Sequence, residues 1–314
     1  MTVNEASALL KQQDNILIIT HKNPDGDTLG CGYALWGALT RLGRRVKVVN
    51  SDDIPHKYSY LYSVHDKTAV DFKPEFVIAV DIATPDLVGK PYQELCRNAD
   101  LCIDHHGTNT MYAKKTVVDA ESASCCEIMT RVIDELGVKL DDYIASALYT
   151  GLITDTGCFR QRNTTVDSHL LAARLMNTGI DWQELNRIHF EQKSKSRLML
   201  EQLAVANMDF TLDNRVAIIT ITQDMMKLTG AVPGDVEGIT PIARSIEGVE
   251  VGVTLRQLES GNWKCSLRTH NVDAAAICAQ FGGGGHFGAA GFECSGEPDD
   301  IKTMLVNAIK EVLK

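Results

Sequence analysis

Short apolar runs that end abruptly in acidic or histidine-bearing loops recur through the first half of the chain. Residues 16–20, Ile-Leu-Ile-Ile-Thr, form one such run and stop at His21-Lys-Asn-Pro-Asp-Gly-Asp27. A buried strand feeding a polar loop is the structure this pattern predicts. Beyond the loop, Leu29, Tyr33, Leu35, Ala38, Leu39 and Leu42 recur at helical spacing up to Gly43, and residues 46–49 open another strand. Residues 76–80 and 99–103 repeat the theme, the first ending in Asp81 and the second in Asp104-His105-His106. Helices are expected over 123–136, stopped by Gly137, and over 141–153, stopped near Asp155. Strands alternating with helices predict an α/β fold with a doubly wound, mainly parallel sheet. Ligands of such sheets bind beyond the carboxyl ends of the strands, so the acidic termini are expected to face one crevice.

The pattern changes after residue 190. Lys193, Lys195, Arg197 and Glu201 interleave with Leu198, Leu200 and Leu203, which predicts a charged linker helix. Strands follow over 216–221, 249–255 and 263–267, the last two alternating apolar and polar positions in the half-buried manner. Helices are expected over 274–281 and 300–313, with Gly282 to Gly285 and His286 after the first of them. A chain of 314 residues exceeds the usual size of one domain. The expected division is a catalytic domain over 1–190, a linker helix over 191–208 and a smaller α/β substrate-binding domain over 209–314.

Composition narrows the partners. Asp and Glu number 41 against 31 Lys and Arg, a formal net charge of -10. A surface of that sign repels a long polyanion, whose non-specific affinity comes from neutralising many phosphates at once, so no long duplex is expected as a partner. A short nucleotide held by cations and a few Arg or His side chains remains compatible. No stretch approaches a membrane span, and residues 1–15 lack the charged, apolar and cleavage regions of a signal peptide, so a cytoplasmic location is expected. Nine cysteines, without a C-x-x-C pair, read as buried reduced thiols and not as a disulfide framework or zinc ribbon.

The candidate chemistry lies at the strand ends. His21-x-x-x-Asp25-x-Asp27 places an imidazole and two carboxylates in one loop. Oxygen and imidazole donors without thiolate suit Mn²⁺, Mg²⁺ or Fe²⁺. The competing reading is an Asx-rich turn whose aspartates cap the next helix. Asp81 follows Phe-Val-Ile-Ala-Val, where a carboxylate is costly unless ligated or paired, and Asp104-His105-His106 and Asp155 repeat the situation. A pair of divalent cations explains several such termini together. In the second half, Gly283, Gly284 and Gly285 allow backbone N–H groups to approach an anion beside His286, although a glycine run also serves as a hinge. Arg268, on an alternating strand, offers a planar fork for a phosphate. His56, His65, His169 and His189 stand isolated and read as surface or core histidines, while Asn109, Ser124, Arg160 and Arg162 are weaker candidates.

The segments HKNPDGD, VDIA, IDHHGTN and ITDTG, in that order, closely resemble the four motifs of the DHH phosphoesterase superfamily. FGGGGHFGAAGF, preceded by SLRTHNVD, is similar to the glycine-rich signature of the DHH-associated domain. The resemblance covers almost the whole chain. Its compact length resembles the branch of oligoribonucleases that also dephosphorylate 3′,5′-bisphosphate nucleotides. RecJ-type exonucleases are longer, and family II pyrophosphatases lack this glycine-rich ending. The resemblance implies two divalent cations, Mn²⁺ first among them. His21, Asp25 and Asp81 would hold one, Asp27, Asp81, His105 and Asp155 the other, with Asp81 bridging. It further implies that Asp104 orients a histidine, that His106 faces the scissile phosphate, and that Arg268, Gly283, Gly284, Gly285 and His286 bind substrate. Expected partners are short oligoribonucleotides, dinucleotides or bisphosphate nucleotides, with no membrane; a homodimer is compatible with the sequence. A phosphodiesterase of cyclic or linear dinucleotides needs the same centre. A non-catalytic nucleotide sensor would have no need for both Asp27 and Asp155.

Overall fold

A computed structural model describes residues 1–62 and 70–313 and divides the chain into two compact units, 1–192 and 193–314. His65 lies outside the described residues. The first unit begins α1 (Val3–Leu10), β1 (Ile16–Ile19), α2 (Gly26–Arg41), β2 (Val46–Val49), α3 (Ser59–Tyr62) and β3 (Phe76–Val80). It continues with α4 (Lys90–Arg97), β4 (Leu101–Asp104), β5 (Thr116–Val118), α5 (Cys125–Leu136), α6 (Asp142–Asp155), α7 (Val166–Met176) and α8 (Trp182–Asn186). All five strands are parallel, in the order β2-β1-β3-β4-β5.

Alternation along the strands explains why both faces are covered. Ile16, Ile18, Ile78 and Val80 pack with α1, α2, α5 and α6, whereas Leu17, Ile19, Val77 and Ala79 pack with Cys96 and Ala99 on the α4 side. The strand order reverses between β1 and β3, whose carboxyl ends lead to His21 and Asp81. That reversal is the place where doubly wound sheets hold ligands. Glycine brings α2 and α6 together there. A Cβ on Gly30 would lie 2.4 Å from the Ala147 carbonyl oxygen, and one on Gly151 would lie 2.6 Å from Asp27 Oδ1. The two helices therefore meet backbone to backbone, with the start of α2 beside the end of α6.

The second unit comprises α9 (Lys195–Ala206), β6 (Asp209–Thr211), β7 (Val216–Ile221), α10 (Gln223–Thr229), α11 (Pro233–Glu237), α12 (Thr240–Arg244), β8 (Val251–Gln257), β9 (Trp263–Thr269), α13 (Ala274–Ala279), β10 (Gly284–His286), β11 (Ala289–Cys294) and α14 (Pro298–Val312). Its sheet runs β10-β11-β9-β8-β7-β6, antiparallel except for β7 with β8. One face packs on α13 and α14 through Val253, Cys265, Leu267 and Phe292. On the other, α9 to α12 cover Ala217, Ile219 and Ile221.

The helix expected as a linker belongs to this unit. Leu200 and Ala204 of α9 are fully buried in its core, and Glu201 is buried beside them, paired with Lys193 at 2.7 Å and Arg197 at 3.0 Å. Among the described residues, no helix is long and apolar enough to cross a membrane. All nine cysteines are free thiols, seven of them buried.

Candidate active site

Three loops and one helix end converge at the carboxyl edge of the first sheet. His21 follows β1, Asp81 follows β3, and Asp104-His105-His106 closes β4, while Asp25 and Asp27 open α2 and Asp155 ends α6. His21 Nε2 stands 3.5 Å from Asp25 Oδ1 and 3.7 Å from Asp81 Oδ2. His105 Nε2 stands 3.2 Å from Asp155 Oδ2, 3.6 Å from Asp81 Oδ1 and 3.8 Å from Asp27 Oδ2. Asp81 thus turns one oxygen to each histidine. It is 2% exposed, and its Oδ1 has no hydrogen-bond partner. Its backbone is held in the left-handed region at φ +58°, which only a minority of non-glycine residues adopt. Asp81 N–H donates to the Ile103 carbonyl at 2.9 Å, fixing the turn.

The histidine tautomers follow from their outer contacts. His21 Nδ1 meets the Lys22 carbonyl at 2.8 Å, and His105 Nδ1 meets the Ser122 carbonyl at 3.2 Å. A carbonyl can only accept, so each Nδ1 carries a proton and each Nε2 is the nitrogen turned toward the carboxylates. This outer support is the arrangement that orients imidazole toward a metal ion.

Charge makes the same point. Burial, then the Asp81 and Asp25 carboxylates, push Asp27 well above the usual carboxylate range. Burial and the neighbours Asp27, Asp81 and Asp25 raise Asp155 to about 10, and Asp155 also sits at a helix carboxyl end, where negative charge is disfavoured. Burial works against protonation of His21, yet the Asp25 and Asp81 carboxylates overcome it and raise its pKa to about 11. Asp27, Asp155 and His21 therefore hold protons unless cations take their place. Donor atoms of His21, Asp25 and Asp81 lie within 4.8 Å of one another, as do those of Asp27, His105 and Asp155. The donor set and the orphaned Asp81 oxygen fit two hard divalent cations.

Asp27 and Asp25 also do structural work. Asp27, fully buried, accepts from Cys125 N–H at 2.6 Å and Cys126 N–H at 2.9 Å, capping α5 from another element. Ser124 occupies the α5 N-cap position but makes no capping bond, and its hydroxyl has no partner. Asp25 caps α2 by accepting from Asp27 N–H at 3.0 Å and Thr28 N–H at 3.2 Å. Helix capping and the cluster geometry therefore coexist in one loop.

Asp104 stands behind the cluster. It is fully buried, with Oδ1 accepting from His106 Nδ1 at 2.7 Å and from His105 N–H at 2.8 Å, and Oδ2 accepting from Asn109 Nδ2 at 2.6 Å. Against the cost of burial, the His106 and Asn109 hydrogen bonds hold its pKa down. The bond to Asp104 raises His106 to about 9, burial opposing. Asn109 is therefore tied to Asp104, a role its sequence position alone did not define.

The second unit carries a pocket of about 560 Å³ on the face that α9 to α12 leave open. Arg268, His286, Gly284 and Gly285 line it, together with Thr254, Arg256, Lys264 and Ser266. Burial, then Arg244, lower the Arg268 pKa. The glycine run is not one anion nest. Gly283 N–H donates to the Cys278 carbonyl at 3.0 Å, terminating α13, so its amide is committed. A Cβ at Gly283 would also lie 2.3 Å from the Gly291 carbonyl oxygen. Gly284 to His286 instead pair with Ala289 to Gly291 as a hairpin. Arg256 and Lys264 were not singled out from the sequence, although the alternation Trp-Lys-Cys-Ser-Leu-Arg-Thr on β9 puts Lys264, Ser266 and Arg268 on one face.

Residues 15–152 match the model of the DHH family, N-terminal domain, and residues 216–314 match the DHHA1 domain. A relative from Thermus thermophilus, named bifunctional oligoribonuclease and PAP phosphatase NrnA, is 33% identical over 98% of this chain and 93% of its own length. The chain belongs to the DHH family. A Streptococcus mutans DHH relative, named as a probable NrnA of the same kind, is 27% identical over 96% of this chain and 97% of its own. An exopolyphosphatase-related protein from Bacteroides fragilis shares the fold, with a TM-score of 0.89 at 24% identity, covering 98% of this chain and 95% of that one. As a member of the DHH phosphoesterases the chain is a hydrolytic enzyme.

Proposed function

We propose that this chain is a two-cation phosphoesterase that releases mononucleotides from very short oligoribonucleotides and removes a phosphate from adenosine 3′,5′-bisphosphate. The observation that carries the reading is Asp81, buried at the centre of the cluster with one oxygen toward His21 and the other, unpartnered, toward His105. His21, Asp25 and Asp81 would hold one cation, and Asp27, Asp81, His105 and Asp155 the other. Divalent cations there, Mn²⁺ by preference for this thiol-free donor set, would activate water and stabilise the oxygens of an in-line displacement. His106 donates a hydrogen bond from Nδ1 to Asp104, and that bond favours the protonated ring, which would donate from Nε2 to a phosphate oxygen or the leaving group. Arg268 and His286 would hold a phosphate of the nucleotide, and the net charge of -10 favours short substrates over long ones. The names borne by the Thermus and Streptococcus relatives support this substrate class. A product time course with adenosine 3′,5′-bisphosphate, a diribonucleotide, a longer oligoribonucleotide and a cyclic dinucleotide under Mn²⁺ tests it. The first two should be consumed fastest; a cyclic dinucleotide consumed ahead of both would overturn the assignment.

A further inference from the structure

The open face of the second unit's sheet carries more positive charge than Arg268 and His286 supply. Register places His286 beside Ala289, which pairs with Arg268, so these two groups share one end of the pocket. Arg256 pairs with Lys264 directly across β8 and β9, and Thr254 pairs with Ser266 between the two ends. Arg268 lies opposite Gly252, four residues before Arg256, which separates the ends by about 13 Å along the strand.

Like charges directly opposite on one face of a sheet repel. Among the described residues lining the pocket there is no carboxylate to offset Arg256 and Lys264. Glu293 stands beside Lys264 on β11 but lies outside the lining. Arg256 donates to the Pro233 carbonyl at 3.5 Å. Between the ends, Thr254 is 2% exposed and its hydroxyl has no partner among the described residues. A buried hydroxyl without a partner is costly, and an oxyanion would relieve both it and the opposed cations.

We infer that this pocket holds two phosphate groups, one at Arg268 and His286 and a second at Arg256 and Lys264, with the Thr254 and Ser266 hydroxyls between them. Arg256 and Lys264 are then specificity-determining residues that favour nucleotides bearing two phosphates beyond the one hydrolysed. The inference rests on the short-nucleotide reading. Its test is the ratio of kcat/KM for 5′-phosphorylated triadenylate to that for 5′-hydroxyl triadenylate, measured on the full chain. The wild type should prefer the phosphorylated form, Lys264→Gln and Arg256→Gln should each cut the ratio by about tenfold to a hundredfold, and Lys264→Arg should retain most of it. No preference in the wild type, or an unchanged ratio in both Gln variants, overturns the inference and leaves the short-nucleotide reading standing. If the wild type turns over neither trinucleotide, that reading fails instead. Calorimetric binding then decides the pocket: adenosine 3′,5′-bisphosphate should bind more tightly than adenosine 5′-monophosphate, with the advantage lost in Lys264→Gln, and equal binding overturns the inference.

Discussion

Asp81→Asn should abolish most activity while leaving the chelated protein as stable as before. Asparagine enters the left-handed region more readily than alanine, so the φ of +58° is preserved and the change is confined to charge and one donor. The wild-type carboxylate faces His21 at 3.7 Å and His105 at 3.6 Å, one oxygen to each side, so both cations would lose a charged ligand. A charge-assisted contact is worth about 1.5–3 kcal/mol. Losing one on each side raises the barrier by about 3–6 kcal/mol, which lowers kcat by roughly 10²- to 10⁴-fold. Stability should move differently. Without cations, Asp81 adds to the repulsion that raises Asp27 and Asp155, while its attraction to His21 works the other way. The variant's Tm in chelator should therefore stay close to that of the wild type. The Tm increase on adding Mn²⁺, about 2.7 kcal/mol of stabilisation at 100 times Kd for one site, should shrink. Steady-state hydrolysis of bis(p-nitrophenyl) phosphate and thermal melts with and without Mn²⁺ measure both. A kcat above about a tenth of the wild type, a barrier change under about 1.4 kcal/mol, would refute the bridging role.

Three further outcomes follow. Arg268→Ala and His286→Ala should each lower kcat/KM for a diribonucleotide by about tenfold to a hundredfold while changing bis(p-nitrophenyl) phosphate hydrolysis little; equal losses on both substrates would place them in the catalytic centre or the fold. His189 bonds Tyr60 at 2.8 Å, and burial, then Lys57, depress its pKa from 6.5 to about 4. The folded state thus prefers the neutral ring, so this contribution is complete above pH 6.5 and is lost as pH falls toward 4. Urea unfolding across that window should show the wild type losing about 1–3 kcal/mol more than His189→Gln, and parallel curves would contradict it. Gly151→Ala should destabilise by more than about 2 kcal/mol, since its Cβ would fall 2.3 Å from Cys126 Sγ and 2.6 Å from Asp27 Oδ1; an unchanged urea midpoint would show that α2 and α6 can separate at no cost.

The catalytic half was legible where strands end in chemistry. Short continuous apolar runs marked residues 16–20 and 76–80 as strands, and a carboxylate directly after an apolar strand needs a partner, which singled out Asp81. What the sequence could not reveal was the dual use of Asp27, because the capped amides of Cys125 and Cys126 are 98 and 99 residues away. Ser124 occupies the local N-cap position of α5 but makes no capping bond there. The glycine run misled for a similar reason. Gly283 terminates α13 and Gly285, at φ +148°, sits in a hairpin, so only part of the run faces the pocket. The charged positions of α9 suggested a linker, yet one of them, Glu201, is buried with Leu200 and Ala204 and paired with Lys193 and Arg197.

Cation dependence of dinucleotide turnover tests the central claim most directly. A 5′-labelled diribonucleotide is followed with exhaustively chelated full-length chain, then with Mn²⁺ added stepwise. The account predicts no mononucleotide release in chelator and full recovery as the second equivalent of Mn²⁺ per chain binds. Undiminished release in chelator, or saturation at a single equivalent, would contradict it.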